Sequence, residues 1–211
     1  MSTEQSALET LLGRARGPMG PAIEIDFGIP DGPLAELGKV LSRINGFFLF
    51  NAGVQVFRAG EEGLGHDLLS WNNEDAWKDT YDGLADDLFC FAQDIFGVQF
   101  AIVEGKEVVR FDPETARDEA LGESLEDWAA WLLADPDANG AESFAYAYQQ
   151  QRGALDPSER LVPRTFFVGG GSYDFDNFVA YDAVTAMRIR GPIAQQVHDL
   201  PDGATIRLRT E

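Results

Sequence analysis

Leu88-Phe89-Cys90-Phe91-Ala92-Gln93-Asp94-Ile95-Phe96-Gly97-Val98-Gln99-Phe100-Ala101-Ile102-Val103-Glu104-Gly105-Lys106-Glu107-Val108-Val109-Arg110-Phe111 holds three short apolar runs: Leu88 to Ala92, Val98 to Val103 and Val108 to Phe111. They are rich in β-branched and aromatic residues and too short for helices, so they read as strands. Asp94-Ile95-Phe96-Gly97 separates the first two, and an Asp in that place suits a turn held by its own backbone bond. Glu104-Gly105-Lys106 joins the last two so closely that an antiparallel hairpin is predicted.

Upstream, the period changes. Leu34, Leu37, Val40, Leu41 and Ile44 share one helical face, with Asp31 as the expected N-cap and Asn45-Gly46 as the stop. Phe47 to Phe50 and Val54 to Phe57 read as strand, with Ala52-Gly53 between them as either a bulge or a hairpin. Arg58 to Asp67 reads as a loop, and Asn72 or Asn73 is expected to cap a short helix through Trp77 to Tyr81. Before all this, Leu8, Leu11, Leu12 and Ala15 predict a short docking helix, broken by Gly17-Pro18-Met19-Gly20-Pro21.

Downstream, Ser124 and Asp127 resemble a capping box opening a helix that carries Leu125, Trp128 and Leu132 on one face. A second helix is predicted over Glu142 to Arg152, and a strand over Asn177 to Tyr181. Pro192 suits the first turn of a helix running through His198. Pro201-Asp202-Gly203 turns the chain, and Thr205 to Arg209 alternates as an edge strand. The whole predicts a globular α+β domain. Residues 1–22 form its N-terminal helix and linker, 23–211 the domain, and 156–211 a C-terminal extension packed on it.

Charge narrows the function. The 211 residues hold 16 Lys and Arg against 36 Asp and Glu, a formal net charge of −20. Such a surface repels phosphate backbones and anionic lipid, and it favours a basic protein partner. Solubility alone is the competing explanation of that charge. There is no signal-peptide pattern and no apolar run long enough to span a bilayer, so a cytoplasmic location is expected.

The motifs that carry chemistry are weak. Asp135-Pro136-Asp137-Ala138-Asn139-Gly140 opens like a calcium loop, but Tyr146 stands where the bidentate Glu belongs, so a polar helix–helix turn is expected. One cysteine, Cys90, and two histidines, His66 and His198, make no zinc motif, and Cys90 among apolar neighbours reads as a buried thiol. Gly169-Gly170-Gly171 lacks the Lys-Ser/Thr of a phosphate loop and reads as a tight loop with close backbone approach. Glu61-Glu62, Asp86-Asp87 and Asp174 with Asp176 are the acidic pairs that could be posed as acid/base dyads, against a solvated face. Trp71, Trp77, Trp128 and Trp131 read mostly as core. No metal, cofactor or catalytic residue is expected. If the chain binds a partner through acidic loops near the sheet, the candidates are Glu61, Glu62, Asp86, Asp87 and Asp94.

The segment from Leu88 to Phe100 resembles the central signature of the SUKH superfamily, which joins the Syd proteins, certain herpesvirus proteins and the fungal Smi/Knr cell-wall regulators. Asn45-Gly46, Leu69-Ser70-Trp71-Asn72, Phe111-Asp112-Pro113-Glu114-Thr115 and Glu123 to Asp135 add to it, over residues 30–135. Ile29-Pro30 replaces the Leu-Pro pair of many members, and the tail from Arg160 to Leu208 looks like that of longer bacterial ones. The resemblance implies an α+β fold of a single compact domain, with a central mixed, largely antiparallel sheet flanked by helices. It also implies a non-catalytic immunity protein that neutralises a cognate polymorphic or contact-dependent toxin by stoichiometric binding. An intracellular scaffold or regulatory adaptor, as in the fungal relatives, is the alternative, and an unrecognised carboxylate hydrolase is the third.

Overall fold

The three quoted runs are the centre of a six-stranded meander. Its strands, in spatial as in chain order, are β1 (Phe47–Leu49), β2 (Val54–Val56), β3 (Leu88–Asp94), β4 (Gln99–Val103), β5 (Glu107–Asp112) and β6 (Arg117–Gly122). The computed structural model describes residues 6–201 together with 203 and 204, so the edge strand expected over 205–209 lies outside the described residues. Every ladder of the sheet is antiparallel, and the only parallel pairing among the described residues is an isolated bridge between Arg58 and Asp67. The expected mixed character is therefore absent from the ladders, even across the long β2–β3 connection of residues 57–87, which returns the chain antiparallel. Glu104 and Gly105 turn β4 into β5 with φ of 51° and 71°, and the Ala52-Gly53 alternative resolves as a hairpin turn in which Phe50, Asn51 and Ala52 take positive φ.

Gln99 and Phe100 are neighbours on β4 and so face opposite sides. Phe100, with Phe91, meets Trp128, at ring separations of 5.8 and 5.1 Å. Trp128 belongs to α4 (Leu125–Ala134), which packs with α1 (Ala7–Leu12) and α2 (Pro33–Arg43). Gln99 instead accepts from Trp71 Nε1 at 2.9 Å. Trp71 closes α3 (Leu68–Trp71) and begins an aromatic chain through Trp77 and Tyr81 to Phe111. The hydroxyl of Tyr81 ends it, donating to Pro113 O at 3.0 Å. On that second face Gln55, Gln93 and Gln99 stand side by side across β2, β3 and β4, all at most 1% exposed. Arg160 reaches over this row. It donates to Gln55 Oε1, and the Gln93 amide, with its oxygen toward the guanidinium, accepts from Nη2 at 3.2 Å and Nε at 3.3 Å.

Arg160 lies in a smaller body built by α5 (Pro136–Gly140), α6 (Glu142–Arg152) and the hairpin β7 (Glu159–Pro163) to β8 (Phe178–Asp182). Its own core gathers Ile95, Ala145, Tyr148, Leu161 and Phe178 with the rings of Phe96 and Phe144. By packing, this part therefore begins near residue 136 and not at 156. α7 (Ala183–Val197) returns to the main core through Ala183, Met187 and Ala194. At the other end of the chain, the expected linker is held in place. Arg16 pairs with Phe48 through both backbone bonds, and Met19 and Gly20 donate to Asn45 O.

Four boundaries differ from expectation. Helix α2 is capped by Gly32 and not Asp31, since Pro33 fixes the first helical φ. The helix expected through Trp77 to Tyr81 is a short 3-10 turn, Lys78–Tyr81, with no side-chain cap; upstream of it Asp67 caps α3, accepting from Leu69 and Ser70 N–H, while Asn72 bonds Cys90 at both N–H and C=O. Asp182 caps α7 and starts it nine residues before Pro192, which sits inside the helix. β6 was not expected, because Arg117-Asp118-Glu119-Ala120 is exposed and has no apolar alternation; charge of this kind protects an edge.

Candidate functional site

β3 ends and β4 begins at the same sheet end as β5 ends and β6 begins, so two turns, Asp94–Val98 and Asp112–Ala116, emerge side by side. Between them and the smaller core lies a cleft of about 420 Å³. Its charged lining is Asp94, Arg110, Asp112, Glu114 and Arg190, with Asp137 of α5 on the far wall. Phe96, Phe144, Phe167 and Tyr173 supply the aromatic side. Phe167 and Tyr173 stack at 4.5 Å, and Tyr173 remains 62% exposed.

Each charge has a local reason for its position. Asp94 Oδ1 accepts from Phe96 N at 2.8 Å and Val98 N at 2.9 Å, the turn expected from the sequence. Asp112 holds the second turn in the same way, accepting from Glu114 N at 2.8 Å. Glu114, 3% exposed, accepts from Val168 N through Oε2 at 3.1 Å, and its Oε1 has no partner. Arg190, 1% exposed, donates to Phe96 O at 2.8 Å and Leu161 O at 2.9 Å, and its Nε has no partner. The Arg110 side chain points from the sheet into the cleft and makes no hydrogen bond or ion pair with the described residues.

Burial is the largest influence on both inner carboxyls. It pushes Asp94 up to about 6 against the attraction of Arg110, and Glu114 up to about 6 against the Val168 N–H bond and Arg190. These groups hold protons more tightly folded than unfolded. Their contribution to stability therefore grows as pH falls from about 7 through 6 and is complete near 4, the reverse of a salt-bridged carboxylate. The Asp94→Asn/Glu114→Gln double variant is expected to gain about 1–3 kcal/mol on the parent at pH 7.5 and almost nothing at pH 4.5. Urea midpoints across that range check it.

The five acidic residues singled out from the sequence do not converge. Glu61 and Glu62 are exposed on a loop held from within by Arg58, which donates to Leu64 O and Gly65 O at 3.2 Å. Asp86 and Asp87 are exposed at the entrance to β3. Asp94 is at its other end, about 20 Å along the strand, and lines the cleft with its carboxylate engaged in the turn. Arg110, Glu114 and Arg190 were missed. Only Arg110 carried a signal, a lone charge in the apolar run Val108-Val109-Arg110-Phe111; Arg190 follows a second arginine in Arg188-Ile189-Arg190, and Glu114 sits in the polar stretch Asp112-Pro113-Glu114-Thr115.

Other candidates resolve as local structure. Asp135 caps α5 by accepting from Ala138 N, Asp137 accepts from Ser143 N, and Asn139 donates to Trp131 O, so the calcium-like residues form a helix–helix turn. Asp174 bonds Ser172 while Asp176 pairs with Arg152. A Cβ on Gly171 would fall 1.9 Å from Thr165 O, which is the expected close backbone approach. Cys90 is fully buried and its thiol is pushed up to about 12. Among the described residues no His, Cys, Asp and Glu cluster has a metal-binding arrangement, and no helix is long and apolar enough to cross a membrane.

No family model matches the chain, and no curated protein matches its sequence. Among solved structures it is similar to the crystal structure of Atu4351 from Agrobacterium tumefaciens, at 14% identity over 89% of this chain and 88% of that one, with a TM-score of 0.51. The likeness is one of fold. It runs through both cores and so supports the α+β architecture as a whole.

Proposed function

We propose that the chain is a non-catalytic protein-binding module, an immunity protein of the SUKH type that neutralises a basic toxin domain in the cytoplasm by stoichiometric capture. The observation that carries this reading is where the charges sit. Arg58, Lys78, Arg160 and Arg190 are buried, whereas Glu114 is the only carboxylate buried to the same degree among the described residues. Arg43, Arg152 and Arg188 are tied to Glu9, Asp176 and Asp79. The exterior is thus more acidic than the formal −20, and a basic partner is drawn to it from a distance.

Affinity purification of the tagged chain from its host at low and at moderate salt tests the proposal, together with co-expression of the captured protein. One dominant basic partner, toxic alone and harmless with this chain, is the expected result. A set of housekeeping or envelope-assembly proteins would support the adaptor reading instead. Reversing Glu61, Glu62, Asp86 and Asp87 to Lys is expected to slow association about tenfold at low salt and much less at high salt, as steering charges do. Stopped-flow mixing measures it. These side chains are exposed, so the melting temperature should stay in place.

A further inference from the structure

The cleft presents unmet demands of both signs. Arg110 has no partner and Arg190 keeps an unbonded Nε, while Glu114 keeps an unbonded Oε1. A buried polar atom left unpaired is costly, so two orphans of opposite character at one cavity point to a missing ligand that answers both. A phosphate or other plain anion meets four carboxylates there, Asp94, Asp112, Glu114 and Asp137; a plain cation meets two guanidiniums. An uncharged apolar molecule satisfies neither. The aromatic side adds a third requirement, because Tyr173 stays exposed on rings that already pack together, Phe96 at 5.4 Å and Phe167 at 4.5 Å. The 420 Å³ volume suits a small molecule.

We propose that this cleft binds a small zwitterion with an aromatic side chain, of which a free aromatic α-amino acid is the simplest. The ligand's carboxylate pairs with Arg110 and the Arg190 Nε–H, its ammonium with the Asp112 and Glu114 side, and its ring lies against Phe144, Phe167 and Tyr173. The site is independent of the partner proposed above and involves none of Glu61, Glu62, Asp86 or Asp87.

Isothermal titration of the full chain with L-phenylalanine, phenethylamine and 3-phenylpropionate tests it, since the two analogues each lack one charge. L-phenylalanine is expected to bind at least tenfold tighter than either. Arg110→Gln should lose at least tenfold for L-phenylalanine and leave phenethylamine unchanged; Glu114→Gln should lose L-phenylalanine and leave 3-phenylpropionate unchanged. No heat from any of the three at millimolar concentration overturns the proposal. So does equal affinity for all three, which would mark an apolar crevice. Melting curves establish that each variant is folded, and the three-ligand comparison on the parent chain decides the matter even if one is not.

Discussion

Arg190→Met is expected to remove about 3–5 kcal/mol of folding stability, as breaking a buried charge network does. The guanidinium joins three elements: the β3–β4 turn through Phe96 O, β7 through Leu161 O, and its own helix through Ala186 O at 3.3 Å. Methionine fills much of the volume but leaves the Phe96 and Leu161 carbonyls buried without donors. It also takes a cation away from Glu114 and Asp94, both of which feel its attraction. The urea midpoint, followed by tryptophan fluorescence, should fall sharply with the slope unchanged. Arg188→Met, two residues along the same helix, is the control. Arg188 makes an exposed pair with Asp79 at 2.6 Å, and its loss should barely move the midpoint.

Trp128→Ala should cost a similar amount, about 3–5 kcal/mol, by opening a cavity under the sheet. Trp128 is 2% exposed and sits between Phe91, Phe100 and the neighbouring helices. Its Nε1, however, has no hydrogen-bond partner. Phenylalanine removes that orphaned donor with part of the ring, so Trp128→Phe is expected to cost less than half as much as alanine. Thermal and urea unfolding of the two variants measure the difference. Equal losses would mean that ring volume alone sets the cost.

Local patterns made the main sheet legible. The three central strands, the Glu104-Gly105-Lys106 hairpin and the apolar face of α4 all follow from period and turn chemistry, and α6 runs from Glu142 to Arg152 as expected. What sequence concealed was set by distant contacts. β6 is a strand because β5 offers it a ladder, not because of its own polar residues. Likewise Asp182, and not Pro192, starts α7, since its carboxylate accepts from Val184 and Thr185 N–H. The cleft was hidden for the same reason. Arg190 lies 76 residues beyond Glu114 and 80 beyond Arg110, and only the return of α7 across the sheet end brings them to one cavity. Asp94 was legible as a turn residue, and that role keeps it from acting as an open acidic contact.

The row of Gln55, Gln93 and Gln99 has a consequence for how the strands find one another. Neighbouring strands can slide, and a slip of one residue turns every side chain to the opposite face. Here such a slip would drive an amide into the layer of Phe91, Phe100 and Trp128 and withdraw an acceptor from Arg160. A slip of two residues would keep the face but break the row, leaving glutamines against apolar neighbours. The three amides thus act as an alignment key: only the native register sets Gln55 and Gln93 beneath the Arg160 guanidinium and Gln99 against Trp71 Nε1, so β2, β3 and β4 have one way to lie together.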